Sequence, residues 1–284
     1  MKNNPLEVIK KNLKNLTNAQ KQIGDYIIQH PSEVVFMTIN QLSEQVGTST
    51  TTIMRLTANL GYSGYSELQQ GLKSLIINED EPQKRLEKNL QEIDQNNLWS
   101  NCVNFNIDKI EALFEVIDTE MLNEVVSIIT NANHIYCLGV RSGVPVSQYL
   151  SYGLNRTLGN CSLMSTDNLI DEFNSIHSND IIIATSFPRY VKNLVNLVSV
   201  VKREKNVKVI SFTDNYRAPI VDYSDIVLPC NSDSLAFHNS PISALIVADY
   251  LISAIAINNP EKTKERLNKV NSVMTQFDYH YNSK

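Results

Sequence analysis

Residues 137–150 read CLGVRSGVPVSQYL, so an apolar segment runs into Gly139 and Ser142 before a helix is expected to begin. Glycine lets a backbone approach a ligand closely, a serine hydroxyl binds anions, and the N-terminus of a helix favours negative charge. Pro145 fits the first turn of that helix. We therefore expect Gly139, Arg141 and Ser142 to form one side of a site for a small anionic ligand.

The class of anion is narrowed by the motifs that this loop lacks. Its glycines are Gly139 and Gly143, so the GxGxxG pattern of dinucleotide sites is not present, and no acidic residue stands out as a ribose ligand. No Gly-Lys-Ser/Thr follows, which argues against a P-loop. Taken singly, Arg141 is also suited to a surface ion pair and Ser142 to capping a helix.

Two further strand ends carry similar groups. Residues 185–190 read TSFPRY, and residues 213–215 read TDN. Because the carboxyl ends of parallel strands meet at one edge of a sheet, we expect Thr185, Ser186 and Arg189 to share a crevice with the first loop. An arginine in such a place can bind two oxygens of a phosphate or carboxylate at once.

Groups for catalysis or metal binding are sparse. Glu172, His177 and His238 are the candidates for an acid and a base at the crevice, but each also suits an exposed polar position. No GxSxG elbow surrounds Ser142 or Ser186. The Cys and His residues do not have metal-ligand spacing. We therefore expect no catalytic residues, no metal and no cofactor.

The composition is typical of a folded protein of the cytoplasm. Hydrophobic residues make up 42% of the chain and charged residues 19%. The N-terminal segment has no apolar signal core, and the apolar run at 242–257 is short and contains Asp249 and several serines. The four cysteines have no paired spacing, which favours reduced thiols. We expect a cytoplasmic protein without a membrane span.

From residue 111 onwards, the elements that must position these loops alternate between helix and strand. Apolar runs at 180–186, 207–213 and 225–230 read as strands buried on both faces, with amphipathic segments between them. Together with two earlier strands, they predict a five-stranded parallel sheet with helices on both sides. Residues 111–284 are therefore expected to form a doubly wound, flavodoxin-like α/β domain.

The first 77 residues read instead as an all-α domain. Gly47 predicts a turn between two short helices, and Ser49 begins the second, STTTIMRLTANL. Two short helices joined by a tight glycine-containing turn are typical of a helix-turn-helix motif, although any three-helix bundle with a polar surface helix shows the same pattern. The outer face of the second helix presents candidate groups for base edges and phosphates: Ser49, Thr51, Thr52, Arg55 and Asn59.

Charge is distributed unevenly along the chain. Residues 1–77 contain seven Lys and Arg against five Asp and Glu, a net of +2, whereas the rest of the chain carries −7. This is the sign expected if the first segment contacts an anionic polymer and the second does not. Residues 78–110 are polar with few apolar positions, and we expect a partly helical linker there.

The segment order and the run Leu60–Tyr65, LGYSGY, resemble the RpiR family of bacterial transcription regulators. The resemblance spans nearly the whole chain. It implies an N-terminal helix-turn-helix domain that binds DNA, followed by a sugar isomerase (SIS) domain whose loop serines and threonines hold the phosphate of a phosphosugar. Matched residue by residue, Ser142 is the serine of the first SIS loop and Ser186 the opening serine of the second.

The second loop departs from the family pattern. The usual sequence is close to Ser-x-Ser-Gly-x-Thr, but Pro188 stands at the second Ser, Arg189 at the Gly and Val191 at the Thr. Two alternatives to a standard phosphosugar therefore stay open, namely another anion such as a sugar acid, and a site that no longer binds a ligand.

The sequence and the resemblance together predict a ligand-responsive regulator rather than an enzyme. Its partners would be operator DNA and a small anionic, sugar-derived ligand, and two-fold operators predict a homodimer or homotetramer. One alternative is a phosphosugar isomerase whose N-terminal domain serves assembly. The other is a SIS domain that only pairs subunits. Turnover of sugar phosphates would favour the isomerase, and the absence of any ligand binding would favour the SIS domain that only pairs subunits.

Overall fold

The computed structural model describes residues 4–35, 37–79, 81–164 and 169–279. The chain divides into two compact units, Met1–Lys88 and Asn89–Lys284. The boundary between them falls inside a single helix, Pro82–Glu92.

Short helices surround an apolar core in the first unit. Two of them begin at capping boxes, in which Thr17 and Gln20, and likewise Thr38 and Gln41, each accept the backbone N–H of the other. Apolar side chains at helical spacing, such as Ile23 and Ile27, point into the core. The helices are α1 (Pro5–Asn12), α2 (Asn18–Gln29), α3 (Pro31–Val34), α4 (Ile39–Val46), α5 (Thr50–Asn59) and α6 (Tyr65–Glu79), and α7 (Pro82–Glu92) follows them.

Tyr65, the first residue of α6, fastens that helix to the turn between α3 and α4. Its hydroxyl donates to the carbonyl oxygens of Val34 at 3.1 Å and Met37 at 2.9 Å. Burial raises the pKa of Tyr65 to about 12, so the hydroxyl stays protonated and available as a donor. Val34 and Met37, which precede α4, are thereby bonded to α6.

The second unit is built on a five-stranded parallel sheet. Its strands are β1 (Ile135–Gly139), β2 (Cys161–Met164), β3 (Ile181–Thr185), β4 (Lys208–Thr213) and β5 (Ile226–Pro229), in the order β2-β1-β3-β4-β5. This order is the flavodoxin-like one. The predicted doubly wound α/β fold is therefore confirmed.

Helices cover both faces of this sheet. Ile135 and Cys137 of β1 belong to the apolar core on one face, and Tyr136 and Leu138 to the core on the other, as the alternation of a strand requires. The helices are α8 (Leu98–Glu111), α9 (Leu113–Val116), α10 (Thr119–Asn131), α11 (Val144–Thr157), α12 (Leu169–Phe173), α13 (Lys192–Lys205), α14 (Ile242–Asn258) and α15 (Pro260–Gln276).

Two general features of the described residues bear on function. No single helix among them is long and apolar enough to cross a membrane, and the pair α14 and α15, which meets the requirement together, is bent by 104°. The same residues contain no group of three or more His, Cys, Asp or Glu side chains that would hold a metal ion. All four cysteines are free thiols.

Candidate DNA-reading helix and anion crevice

Helices α4 and α5 form the helix-turn-helix motif. Gly47 ends α4 with φ at 68°, in the left-handed region that glycine adopts without strain. Thr48 N then donates to Ser43 O at 2.9 Å. Ser49 caps α5, because its Oγ accepts from Thr52 N at 3.2 Å. The turn is thus set by glycine geometry and the start of α5 by a hydroxyl cap.

The outer face of α5 is turned to solvent by the packing of its inner face. Ile53 and Leu56 are fully buried in the core of the first unit. Thr51 and Arg55, four residues apart and therefore neighbours on the helix surface, are exposed. A hydroxyl and a guanidinium group are therefore exposed on the same face of α5.

The other three predicted contacts are partly engaged within the unit. Ser49 Oγ lies 2.9 Å from Thr52 Oγ1, so these two hydroxyls bond each other. Asn59 is exposed, and its Nδ2 donates to Gln20 Oε1 of α2 over a long 3.4 Å. These groups would have to exchange internal bonds for external ones before contacting DNA, whereas Thr51 and Arg55 would not.

In the second unit, the sheet order places the topological switch point between β1 and β3, where ligands of such folds bind. Gly139 and Thr185 are the last residues of these two strands, and they pair directly. The first loop leaves β1 and the second leaves β3 from neighbouring positions. The structure therefore brings together the two loops that carry the predicted ligand-binding residues.

The backbones of the two loops approach each other so closely that side chains are excluded. A Cβ atom on Gly139 would lie 2.5 Å from Gly143 O, and one on Gly143 would lie 2.7 Å from Thr185 O. Ser147 Oγ, from the first turn of α11, donates to Thr185 Oγ1 at 3.3 Å. Glycine at these two positions is needed for packing, whatever the ligand is.

Each loop also holds an arginine in the left-handed backbone region. Arg141 has φ at 53° and Arg189 has φ at 63°, and both side chains are exposed. For a residue with a Cβ this conformation costs about 1–2 kcal/mol, and such strain is typical of functional sites. The two strained positions lie in the loops that follow β1 and β3, on either side of the switch point.

Ser186 presents a hydroxyl that the protein itself does not use. The residue is 2% exposed, and no described residue accepts from or donates to its Oγ. Its backbone N–H donates to Phe212 O at 2.9 Å, which fixes the residue against β4. A buried hydroxyl left without a bond costs about 1–3 kcal/mol. Ser142 is half-buried in the turn that precedes α11.

The strand end of β4 is followed by a carboxyl group, Asp214, whose ionisation is opposed by burial. Tyr190 OH donates to Asp214 Oδ1 at 2.8 Å, and Thr213 Oγ1 donates to the same oxygen at 3.2 Å. Burial holds the pKa of Asp214 above its usual value, although hydrogen bonds from Tyr190, Thr213 and Asn215 oppose this. Burial therefore makes the ionised form of this carboxyl group, which lies beside the second loop, less favourable.

Comparison with known proteins resolves the domain types. The model of the helix-turn-helix domain of the rpiR family matches residues 3–79, and the model of the SIS domain matches residues 128–257. The chain belongs to the RpiR family of transcriptional regulators. The resemblance carried by the LGYSGY run and by the two strand-end loops is therefore confirmed.

Individual relatives of this RpiR-family regulator are distant, and they cover between 62% and 96% of this chain. An uncharacterized HTH-type transcriptional regulator of Thermotoga maritima is 23% identical over 96% of this chain and 99% of its own. The Vibrio vulnificus NanR protein complexed with ManNAc-6P has a TM-score of 0.67 at 22% identity, covering 96% of this chain and 99% of that one. The sugar isomerase domain of an RpiR transcription factor from Sphaerobacter thermophilus has a TM-score of 0.59 at 21% identity, covering 62% and 99%. These structures share the fold.

The predicted acid and base groups do not assemble in this RpiR-family chain. His177 lies at the amino end of β3, where its N–H donates to Asp180 Oδ2 at 2.8 Å, whereas His238 lies in the loop after β5. Burial raises the pKa of Glu172, and the nearby charge of His134, which precedes β1, opposes that rise. Glu172 and His177 thus lie near the amino edge of the sheet. The crevice lies at the opposite edge, because all strands of a parallel sheet end on the same side.

Sequence reasoning missed Ser243, the second residue of α14. Ser243 is fully buried, with 0% of its surface exposed, and its Oγ has no hydrogen-bond partner in the described part of the chain. Because α14 follows β5, its N-terminus lies at the carboxyl edge of the sheet, as Ser186 does. The only signal in the sequence was a serine at the start of an apolar helix, which ordinarily reads as a cap.

Proposed function

We propose that this helix-turn-helix regulator binds operator DNA through the outer face of α5, and that a small anion in the β1/β3 crevice controls that binding. The anion is a sugar phosphate or a related sugar acid. The protein acts where the DNA is, in the cytoplasm of its cell. Gly139, Arg141, Ser142, Thr185, Ser186 and Arg189 line the proposed ligand site.

The observation that carries the DNA-binding site is the exposure of Thr51 and Arg55 on a helix whose inner face is buried. A guanidinium group is the side chain that most often contacts guanine edges and phosphates, and it keeps its charge at all physiological pH values. The net charge of +2 on residues 1–77, within a chain of net −5, supports the same face. Ser49, Thr52 and Asn59 are expected to complete the contact.

The ligand site is supported by three properties of the crevice. Ser186 has a buried hydroxyl without a partner among the described residues, two arginines occupy strained positions in the two loops, and burial opposes ionisation of the nearby carboxyl group of Asp214. Each favours an anion with several oxygens. The likeness to NanR, whose structure was solved with ManNAc-6P, makes that compound the first probe.

Of the three candidate acid and base residues, Glu172 and His177 lie away from the crevice, which favours non-enzymatic sensing over isomerisation. His238 follows β5 on the crevice edge. Isomerisation of a sugar needs a base near its carbonyl carbon. His177 lies at the opposite edge of the sheet, and the serines of the two loops have no base bonded to them among the described residues. We therefore propose that ligand binding is read out through DNA affinity.

Two copies of the chain are proposed to act together through their sensor domains. Trp99, Val103 and Ile107 recur every four residues along α8 and are 79%, 38% and 45% exposed. Such an apolar stripe on a helix favours pairing with another protein surface. Two-fold pairing would present two copies of α5 to a two-fold operator.

The DNA-binding proposal is tested by selecting a tight-binding duplex from a random pool and measuring affinity by fluorescence anisotropy. Arg55→Ala should weaken binding by about tenfold to a hundredfold and reduce the slope of log affinity against log salt by about 1. Lys11→Ala is the matched control, since it removes an exposed cation of α1 and should change little. Wild-type affinity and salt slope in Arg55→Ala would refute the assignment.

The ligand proposal is tested separately by thermal shift and calorimetry with ManNAc-6P, other phosphosugars, phosphosugar acids and inorganic phosphate. Binding should be lost in Ser142→Ala and Ser186→Ala, and no product should form. Product formation would establish the isomerase instead. The absence of binding to every compound by the wild-type chain would establish a sensor domain that serves only to pair subunits.

A further inference from the structure

The segment between β5 and α14, residues 231–240, folds into a closed loop that bonds to itself. Ser240 N donates to Ser232 O at 2.7 Å, which joins its two ends. Ser234 Oγ donates to His238 O at 2.6 Å across its middle. Ser232, Ser234 and Ser240 are all buried. A loop braced in this way is compact and has its ends close together. We refer to it as the β5–α14 loop.

One end of the β5–α14 loop is bonded to the second loop of the crevice. Asn239 Nδ2 donates to Pro188 O at 3.0 Å. Pro188 follows Ser186 by two residues and precedes Arg189, which has φ at 63°. Since proline has a fixed φ, the position of its carbonyl oxygen is tied closely to the path of the loop on either side. A ligand that moves the second loop therefore moves the acceptor of Asn239.

The opposite side of the β5–α14 loop is bonded to α8 through a buried ammonium group. Lys109 is 6% exposed, and its Nζ donates to Asp233 O at 2.7 Å. The same Nζ lies 5.2 Å from the centre of the Phe105 ring. Burial lowers the pKa of Lys109, although the charge of Asp233 opposes this. A buried cation is costly without partners, so its bond to the loop is not readily released.

A second bond joins the β5–α14 loop to α7. Asn89 Nδ2 donates to Ser234 O at 3.1 Å and to Ala236 O at 2.6 Å. Asn89 lies within α7, and the boundary between the two compact units falls at the preceding residue, Lys88. The chain that leads from α6 of the DNA-binding unit into the sensor domain is therefore bonded to this loop where it enters the sensor domain.

We propose that the β5–α14 loop carries the state of the crevice to α7 and α8, and through the continuous backbone of α7 to the DNA-binding unit. The inference rests on the proposed sensing function. It follows from four hydrogen bonds that the loop makes at its two sides, one from Asn239 and three from Asn89 and Lys109. At every bond a side chain donates to a backbone carbonyl, so a displacement of the main chain at one side of the loop is transmitted through these side chains to the main chain at the other.

The coupling is tested in the full-length chain with Asn239→Ala and Lys109→Met, each of which removes one side of the link. Asn101→Ala is the matched control, because its Nδ2 donates to Asp94 O rather than to the loop. ManNAc-6P affinity is measured by calorimetry, and affinity for the selected operator is measured with and without ManNAc-6P. Coupling between sites is typically about 5- to 150-fold.

Both link variants should bind ManNAc-6P within about twofold of wild type, well below a typical coupling effect. The ratio of operator affinities with and without the compound should fall towards one in them and stay at the wild-type value in Asn101→Ala. A wild-type ratio in both link variants would overturn the proposal. If the wild-type chain binds neither ManNAc-6P nor any compound of the panel, the sensing function fails rather than the link.

A second measurement tests, without any ligand, whether the two sides of the β5–α14 loop are coupled. Hydrogen exchange with mass spectrometry compares peptides covering residues 82–111 in wild type and Asn239→Ala. Releasing the crevice side of the β5–α14 loop should loosen its bonds to Asn89 and Lys109, so exchange across α7 and α8 should become faster. Exchange at wild-type rates would show that the two sides of the loop are independent and would overturn the proposal.

Discussion

Replacing Ser186 by alanine tests whether the Ser186 hydroxyl contributes to ligand binding or to the stability of the fold. Ser186 Oγ is buried without a partner among the described residues. An unpartnered hydroxyl of this kind costs about 1–3 kcal/mol, and alanine removes that cost while leaving a void of one oxygen atom. We expect Ser186→Ala to stabilise the ligand-free sensor domain by about 1 kcal/mol, equivalent to a rise of about 2–4 °C in Tm for a domain of this size.

Ser224→Ala is the matched control, because the same atom is removed from a hydroxyl that is bonded. Ser224 Oγ lies 2.7 Å from Ser211 Oγ and 2.8 Å from Ile220 O. Ser211 is buried, so its hydroxyl would lose a partner. The control should therefore be destabilised by about 1–2 kcal/mol. The two substitutions are chemically identical and are expected to have effects of opposite sign.

Hydrogen exchange on the intact chain measures both effects, since peptides covering β3 and β4 report the free energy of opening the sheet. ManNAc-6P should slow this exchange in the wild type and in Ser224→Ala but not in Ser186→Ala. Destabilisation of Ser186→Ala as large as that of the control would mean that the hydroxyl is bonded within the protein, and the argument for a ligand-binding role would be refuted.

Three further substitutions test the fold around these sites. Gly139→Ala should lower sensor-domain stability by about 1–3 kcal/mol and abolish anion binding, because its Cβ would lie 2.5 Å from Gly143 O; unchanged hydrogen exchange in β1 would contradict this. Tyr65→Phe should destabilise the DNA-binding unit by about 1 kcal/mol, since the carbonyls of Val34 and Met37 lose the tyrosine donor and keep only Gln69 Nε2, and chemical denaturation followed by circular dichroism measures the loss. Burial opposes ionisation of Asp225, but hydrogen bonds from Lys202 and a backbone N–H lower its pKa overall. Asp225→Asn should therefore lower Tm at neutral pH, with the difference from wild type shrinking below about pH 4; a difference that persists at lower pH would exclude ionisation as its source.

Local sequence signals predicted much of the secondary structure because they act between neighbours along the chain. The threonines that begin two N-terminal helices, Thr17 and Thr38, each form a capping box with the glutamine three residues later. Gly47 adopts the left-handed conformation that a turn between two helices requires. The continuous apolar runs are strands buried on both faces. The segment before β1 contains two helices, α9 and α10, because Asp118 caps α10 by accepting from Met121 N at 2.7 Å.

Some features of the candidate sites likewise follow from local sequence, whereas others depend on tertiary packing. The outer face of α5 follows from helical spacing once Ile53 and Leu56 are buried. The placement of His177 at the amino edge of the sheet does not follow from spacing, because it depends on where the chain enters β3. Ser243 was missed for a related reason. Its hydroxyl is exceptional only through the absence of a partner among the described residues, which is a property of packing.

What the sequence by itself determined is therefore the set of elements and the chemical groups at their ends. Helix caps, glycine turns and apolar runs depend on residues within a few positions of each other. Only the tertiary structure decided that the order β2-β1-β3-β4-β5 makes Gly139 and Thr185 direct neighbours, that Ser186 is buried without a described partner, and that one loop bonds to both the crevice and α7. The physical reason is that these contacts join residues tens to more than a hundred positions apart. Their geometry depends on the packing of the whole sheet and its helices.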